Sequence, residues 1–556
     1  MSDQPPSGPP QDQPPTPPTP PVPPANPQPT YGYPQAPPPQ PQPQPGYGYP
    51  AQPQQPQQPQ QPGYGYPAQP PTVVAGGDIR AKENRTIAVI ILAAVVAIGL
   101  IIGSGVWYSR SSDTGGGSTR AGGDKNGTGT ATGGKEKVPD NPAADVLFKV
   151  PQPKTEENVV TTPGSWLSSG VYAKSGIAEI TGYDPADGHN KWTLKLPGPV
   201  CAATEHVTAD GRTGIVYQPS MPTKDSRPGC TQVAGIDVRA GTKLWTKSVG
   251  TGEFATQFSN VTVAGKTVAV GGLGGGAAYD IGTGKVLWQP KPGDECNDVG
   301  YGGGTKLVAV RKCGAFNNRT LSIQNVDPAS GKVIAEYKMG AGIDYAGIVS
   351  TDPLVVGADA GHSASGGSGV SDYFSIDNRT GRLLARIPVS GDTYDGECET
   401  ITLVEECKGV VAGQGKLYLA TKEHSGSGKS KLVHTNEVVS FDLATGKQTG
   451  QRAEAGEGYT LFPLRMDGGN LIAYKDPPYD KGAQVVTIDG ASFKSTTLME
   501  LPPEQGDRSL RSGLLPAYSE YRYSQGRLFM AAPNAAKPIG SFDKDKNCVV
   551  AFGTRD

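Results

Sequence analysis

One phrase recurs so often along this 556-residue chain that any fold must be built around it. It runs apolar residue, Asp, three variable residues, Gly, then a hydrophobic segment that often carries Trp. Three copies are complete: Tyr183-Asp184 with Gly188 and Trp192, Ile236-Asp237 with Gly241 and Trp245, and Tyr279-Asp280 with Gly284 and Trp288. Three lack the Trp: Val326-Asp327 with Gly331, Ile376-Asp377 with Gly381, and Phe441-Asp442 with Gly446. A seventh, Ile488-Asp489, carries Phe493 where the glycine belongs. The phrase reads as a hairpin. A strand ends at the apolar residue, the Asp carboxylate accepts from amides just ahead, and the glycine takes the left-handed conformation that reverses the chain.

The spacing of these hairpins sets the architecture. Successive aspartates lie 53, 43, 47, 50, 65 and 47 residues apart, the period of arrays that use one small sheet per repeat. Such sheets cannot bury both faces alone, so they stack radially, and the expected fold is an all-β propeller. The strands between the turns are short and β-branched, such as Lys266 to Val270, Lys306 to Val310 and Lys416 to Ala420, with no sustained helical period. Seven Asp turns do not exhaust the strands. Tyr518 to Tyr523, Arg527 to Ala531 and Cys548 to Phe552 make three strands of one more blade, and Val146 to Val150 reads as an outer strand without a hairpin before it. If that segment completes the last blade, the two ends of the domain join and eight blades result; seven is the alternative.

Composition divides the rest. Residues 1–79 are dominated by Pro, Gln, Gly and Tyr, with near-copies of Tyr-Gly-Tyr-Pro at Tyr31, Tyr47 and Tyr64, and read as a disordered cytoplasmic tail. From Ile87 to Ile102 no side chain is polar, so 86–108 is expected to be a transmembrane helix. Arg80, Lys82 and Arg85 before it place the tail inside and the remainder outside a plasma membrane, with the lipid bilayer as a partner. Gly99 and Gly103 form a small-xxx-small pair that would let two such helices dimerise. Residues 109–143 are a Gly/Ser/Thr-rich linker, and 144–556 form the propeller. The net charge of −2 carries no dense basic face and excludes a nucleic-acid role.

All seven cysteines follow residue 200. Six fall into neighbouring pairs, Cys201 with Cys230, Cys296 with Cys313 and Cys398 with Cys407, which are the disulfide candidates, although six cysteines allow fifteen connectivities. Cys548 is left over.

The run Tyr279-Asp280-Ile-Gly-Thr-Gly284-Lys-Val-Leu-Trp288 resembles the repeat of the PQQ-like β-propeller superfamily. That superfamily includes quinoprotein alcohol dehydrogenases and non-catalytic members such as the propeller lipoprotein of the outer-membrane β-barrel assembly machinery. Ala335, Ala385, Gly450 and Thr497 stand at the Trp position of repeats four to seven, so the pattern weakens in the second half. The resemblance implies that a dehydrogenase would hold pyrroloquinoline quinone against adjacent cysteines and a calcium ion. No two cysteines adjoin here, and no cofactor or metal ligand is assigned.

Other chemistry is also missing its context. Ser425-Gly-Ser-Gly-Lys429-Ser430 ends like a phosphate loop but has Glu423 where the first glycine is required. The glycine run Gly271 to Gly276 reads as a turn between strands, because a dinucleotide fingerprint needs a helix after it. His189, His206, His362, His424 and His434 show no metal-ligand spacing and read as exposed loop residues. Asp184, Asp237, Asp280, Asp327, Asp377, Asp442 and Asp489 are each claimed by a turn. The expected function is therefore a binding or scaffolding propeller at the cell envelope with a protein or glycan partner. A propeller-borne dehydrogenase is the first alternative, and a sensor relaying through the helix to the tail is the second.

Overall fold

The computed structural model describes residues 136–555 except 292, 315–318, 362–368, 390, 400–402, 427–433, 504–509, 512 and 539–545. Eight four-stranded antiparallel sheets and three two-stranded ones are present among the described residues, and the eight are the blades. We number them as blades I (165–195), II (200–247), III (260–288), IV (296–338), V (347–388), VI (410–454), VII (460–500) and VIII. In blades I to VII the chain runs from an inner strand outward, and the inner strands of neighbouring blades touch one another around a central channel.

Blade VIII closes the ring. Its first three strands are Glu520–Ser524, Arg527–Ala531 and Asn547–Thr554, and its outer strand is Ala144–Pro151 from the other end of the domain. The two end segments pair antiparallel, Val146 opposite Phe552 and Val150 opposite Val549. Eight blades are thus present, and no blade is left with a missing strand. Closure of this kind removes the free edge that an open stack of sheets would expose.

The Asp turns have one geometry throughout. In the third, Asp280 Oδ1 accepts the Gly282 amide at 3.1 Å, the Thr283 amide at 2.8 Å and the Thr283 hydroxyl at 2.7 Å. Asp184, Asp237, Asp327, Asp377, Asp442 and Asp489 accept amides two or three residues ahead in the same way. The Thr380 amide and hydroxyl, followed by the Arg379 amide, hold the Asp377 carboxyl below its ordinary range. The repeat glycines sit at φ near +70°, and Phe493 adopts +59° in the seventh turn.

These glycines also seat the neighbouring blade. A Cβ at Gly241 would fall 2.3 Å from Trp192 Cδ2, one at Gly284 2.7 Å from Trp245 Cγ, and one at Gly331 3.0 Å from Trp288. Each Trp of blades I to III therefore lies flat on the turn of the next blade, and Trp245 Nε1 donates to Ile281 O there at 2.9 Å. At the closing seam Phe148 takes the part of Trp against Gly188. Ala335 and Ala385 replace the Trp in blades IV and V, and the backbone of Glu336 and Arg386 comes in against Gly381 and Gly446 instead.

The membrane expectation is corrected. Among the described residues no helix is long and apolar enough to cross a membrane, and the described strands are eight residues or shorter. A helical span needs about 20 apolar residues. The predicted helix 86–108, the tail 1–79 and linker residues 109–135 lie outside the described residues. The transmembrane helix, the bilayer as its partner, the Gly99–Gly103 pairing and the single-pass plasma-membrane placement with a cytoplasmic N terminus are withdrawn. The sensor alternative, which needed that helix, goes with them.

Candidate functional site

Alternation of strand direction separates two ends of the propeller. One carries the short turns, including every Asp turn. The other carries the remaining connections, which are long and varied, such as 218–231, 248–259, 389–409 and 501–519. The three disulfides stand at this loop end: Cys201–Cys230, Cys296–Cys313 and Cys398–Cys407. Cys548 is a free buried thiol whose Sγ faces Pro151 O at 3.4 Å, and burial pushes its pKa up to about 11.

The channel between the ends is partly filled. The connection from blade V to blade VI dips into it as a disulfide-closed loop, with Cys398 against Gly347 at the start of the blade V inner strand. Val404, fully buried, packs on Gly300 of blade IV, and its carbonyl accepts the Ile348 amide of blade V at 2.5 Å. Glu405 reaches the turn end of the channel, where it accepts the Gly303 amide at 2.6 Å and meets His206 Nε2 at 2.7 Å. His206 belongs to the connection between the first two strands of blade II, so one loop ties blades II, IV and V together across the axis.

Both side chains of this pair are only 15% exposed. Burial alone would lower the His206 pKa, but the charge and hydrogen bond of Glu405 overcome it and raise the imidazole to about 9. Burial likewise works to raise Glu405, and the His206 charge, its hydrogen bond and the Gly303 amide bring it below the usual carboxylate range. The pair is therefore ionised at neutral pH.

Opposite the loop, the inner walls of blades VI, VII, VIII, I, II and III border a cavity of about 1070 Å³. Three ion pairs stand along it. Arg522 stands 3.7 Å from Glu205 and donates to Ser165 O at 3.1 Å. Lys174, nearly fully buried, lies 3.3 Å from Glu520, whose other oxygen accepts the Gly164 amide at 2.6 Å. Arg465 binds Glu136 at 2.6 Å, and the second Glu136 oxygen accepts the Gln525 amide at 2.8 Å. Glu136, from the stretch read as linker, is thus fixed at the mouth of the channel between blades VII and VIII.

Of the histidines, His206 departs from the expectation of exposed loop residues, because the blade V–VI loop covers it. His189 lies exposed 2.9 Å from Asp187, and His424 lies exposed 3.0 Å from Glu437. His434 is exposed in a short hairpin, and His362 lies outside the described residues. Of the Ser425–Ser430 motif only residues 425 and 426 are among the described residues. Gly271 to Gly276 forms a connection of blade III at the loop end, with no helix after it.

A family model described as outer membrane protein assembly factor BamB matches residues 144–295. Among solved structures, BamB from Moraxella catarrhalis is 12% identical at a TM-score of 0.37, with 74% of this chain covering 100% of that one. The quinohemoprotein alcohol dehydrogenase ADHIIG from Pseudomonas putida HK5 is 12% identical at a TM-score of 0.44, with 76% and 78% of the two chains covered. That of Comamonas testosteroni is 11% identical at a TM-score of 0.42, with 75% and 78% covered. No curated protein matches the sequence.

The quinone and calcium of the superfamily's dehydrogenases do not fit the residues present. Calcium needs several oxygen ligands free to converge, and of the channel carboxylates, Glu136, Glu405 and Glu520 are each held by a cation and a backbone amide, while Glu205, Glu406 and Asp467 are each paired with a cation. Among the described residues no three His, Cys, Asp or Glu side chains gather as metal ligands. The disulfide of the channel loop joins cysteines nine residues apart rather than adjacent ones.

Proposed function

We propose that this propeller is a protein-binding module that docks through its loop end to a partner offering apolar pockets. The observation that carries the reading is the distribution of large apolar side chains in water. Phe254 is 92% exposed, Leu273 85%, Tyr479 80% and Tyr518 71%, and all four stand on loop-end connections. At the opposite end the exposed apolar side chains are smaller and less exposed, Val138 at 48% and Val286 and Val333 at 43%. Interface centres favour such aromatic anchors, most of all when they are held rigid before binding.

Phe254 and Leu273 meet that condition. The loop bearing Leu273 lies on the loop bearing Phe254, for a Cβ at Gly274 would fall 2.9 Å from Thr256 Cγ2 and one at Gly272 2.6 Å from Gln257 O. The Phe258 amide donates to Cys230 O at 2.9 Å, so the Cys201–Cys230 disulfide anchors one side, and Cys296–Cys313 lies in the next blade on the other. Disulfides in such number suit a compartment where thiols are oxidised. The family model that matches residues 144–295 is described as an assembly factor, which accords with a binding module.

A photo-crosslinking amino acid in place of Leu273 or Tyr479, in the cells that make the protein, should give a discrete protein adduct that Phe254→Ser abolishes. The same probe in place of Thr380 or Ala444 at the turn end should give none. Equal adducts from both ends, or none from the loop end, would overturn the proposal.

A further inference from the structure

Val404 and Glu405 are held by the channel wall in the way a bound peptide would be held. The Val404 carbonyl accepts a backbone amide from Ile348 at 2.5 Å. The Val404 side chain fills a pocket that exists because residue 300 is glycine, since a Cβ there would fall 2.4 Å from Val404 Cγ2. The Glu405 carboxylate sits between the Gly303 amide at 2.6 Å and His206 Nε2 at 2.7 Å. These groups come from blades II, IV and V, and each is fixed without help from the loop. His206 is fastened through its own backbone, with its amide donating to Thr204 Oγ1 at 3.1 Å and its carbonyl accepting the Thr213 hydroxyl at 2.9 Å. Gly303 and Ile348 belong to the inner walls of blades IV and V.

We propose that this wall is a recognition site for an apolar–acidic peptide step, occupied in cis by Val404–Glu405, which an acidic segment of a partner protein takes when the loop withdraws into the adjoining cavity. The chemistry specifies the ligand: one backbone carbonyl for Ile348, one branched side chain for the Gly300 pocket, and one carboxylate for His206 and Gly303. The cavity of about 1070 Å³ beside the loop, bordered by Glu405, Glu406 and Lys408, gives the displaced segment somewhere to go. The site does not depend on the loop-end docking surface, and either can fail alone.

The probe is the peptide acetyl-Leu-Val-Glu-Glu-amide, the sequence of residues 403–406, carrying a fluorophore and titrated into the full chain by anisotropy. A tethered cis ligand acts at an effective concentration on the order of millimolar or more, so wild type should bind the peptide weakly. A variant carrying Val404→Gly and Glu405→Gln should bind it saturably and at least tenfold more tightly. Adding His206→Gln, or replacing both peptide glutamates by glutamine, should each cost about tenfold, the scale of a charge-assisted hydrogen bond. If the double variant does not fold, the single Glu405→Gln keeps the side-chain shape and must still bind the peptide more tightly than wild type. No gain over wild type in a folded variant, or equal binding of the glutamine peptide, would overturn the proposal and leave the loop as channel filling.

Discussion

Replacing Glu405 by Gln keeps the length of the side chain and an acceptor for the Gly303 amide while removing its charge. In the native channel the imidazole of His206 titrates at about 9 against an ordinary 6.5. At about 1.4 kcal/mol per unit, that difference is on the order of 3 kcal/mol of stability held in the pair. The folded value is raised, so the contribution is complete below 6.5 and is lost as the pH rises through about 9. The Glu405 carboxyl lies below its ordinary 4.5, so it remains charged at pH 5.5 and its share is lost only as the pH falls through that lowered value. Urea unfolding of the disulfide-bonded protein should therefore separate wild type from Glu405→Gln by about 3 kcal/mol at pH 5.5, about 2 at pH 7.5 and almost nothing at pH 10. An imidazole resonance that titrates near 9 in wild type should move to 6.5 or lower in the variant, because burial is then unopposed. A stability gap that stays level from pH 5.5 to 10, or widens at pH 10, would refute the reasoning.

Three other measurements bear on the frame. Gly241→Ala sets a methyl against Trp192 at a backbone angle of +66°, whereas Gly415→Ala meets nothing within 4 Å at +72°. Thermal denaturation should show the first losing about 2–3 kcal/mol and the second about 1, and equal losses would mean that the Trp–Gly seat contributes nothing. Opening Cys201–Cys230 by paired serine substitution releases a loop with a sequence separation of 29 and should lower stability by about 3 kcal/mol in denaturant titration; an unchanged midpoint would show that the loop needs no staple. The Cys548 thiol, buried and pushed up to about 11, should resist maleimide at pH 8 until urea unfolds the domain, and quick labelling of the folded protein would contradict its burial.

Much of the frame was readable because it depends on local rules. An aspartate that accepts amides two and three residues ahead, and a glycine that alone takes positive φ cheaply, act within six residues, so Asp184 to Asp489 announce their turns without tertiary knowledge. Ring closure by Val146 to Val150 was readable too, as a strand without a hairpin beside a blade without an outer strand. The channel was not. His206 and Glu405 lie 199 residues apart in sequence, and neither sits in a repeated position. The available signal was the 65-residue interval between Asp377 and Asp442, the longest of the six, which marks an insertion without saying that it enters the channel. The membrane helix was inferred from hydropathy over a segment outside the described residues, where the structure offers no support for it.

The decay of the Trp motif along the chain has a physical reading in the packing of neighbouring blades. A flat ring over a glycine is one way to fill the gap between an outer strand and the next turn, and blades I to III use it. Where the ring is gone, the gap must close or be filled from the other side. Blades IV and V close it, with Ala335 and Ala385 letting the backbone approach Gly381 and Gly446. Between VI and VII the sizes are exchanged: Gly450 stands at the strand position, and Phe493 stands in the turn, buried and stacked on Tyr418 of blade VI with centroids 5.9 Å apart. The aromatic has moved from one partner to the other, so Phe493 tolerates a φ of +59° that costs an ordinary side chain about 1 kcal/mol. The degenerate second half is therefore a differently packed version of the same joint, and the blade V–VI loop that reaches across to His206 leaves from that half.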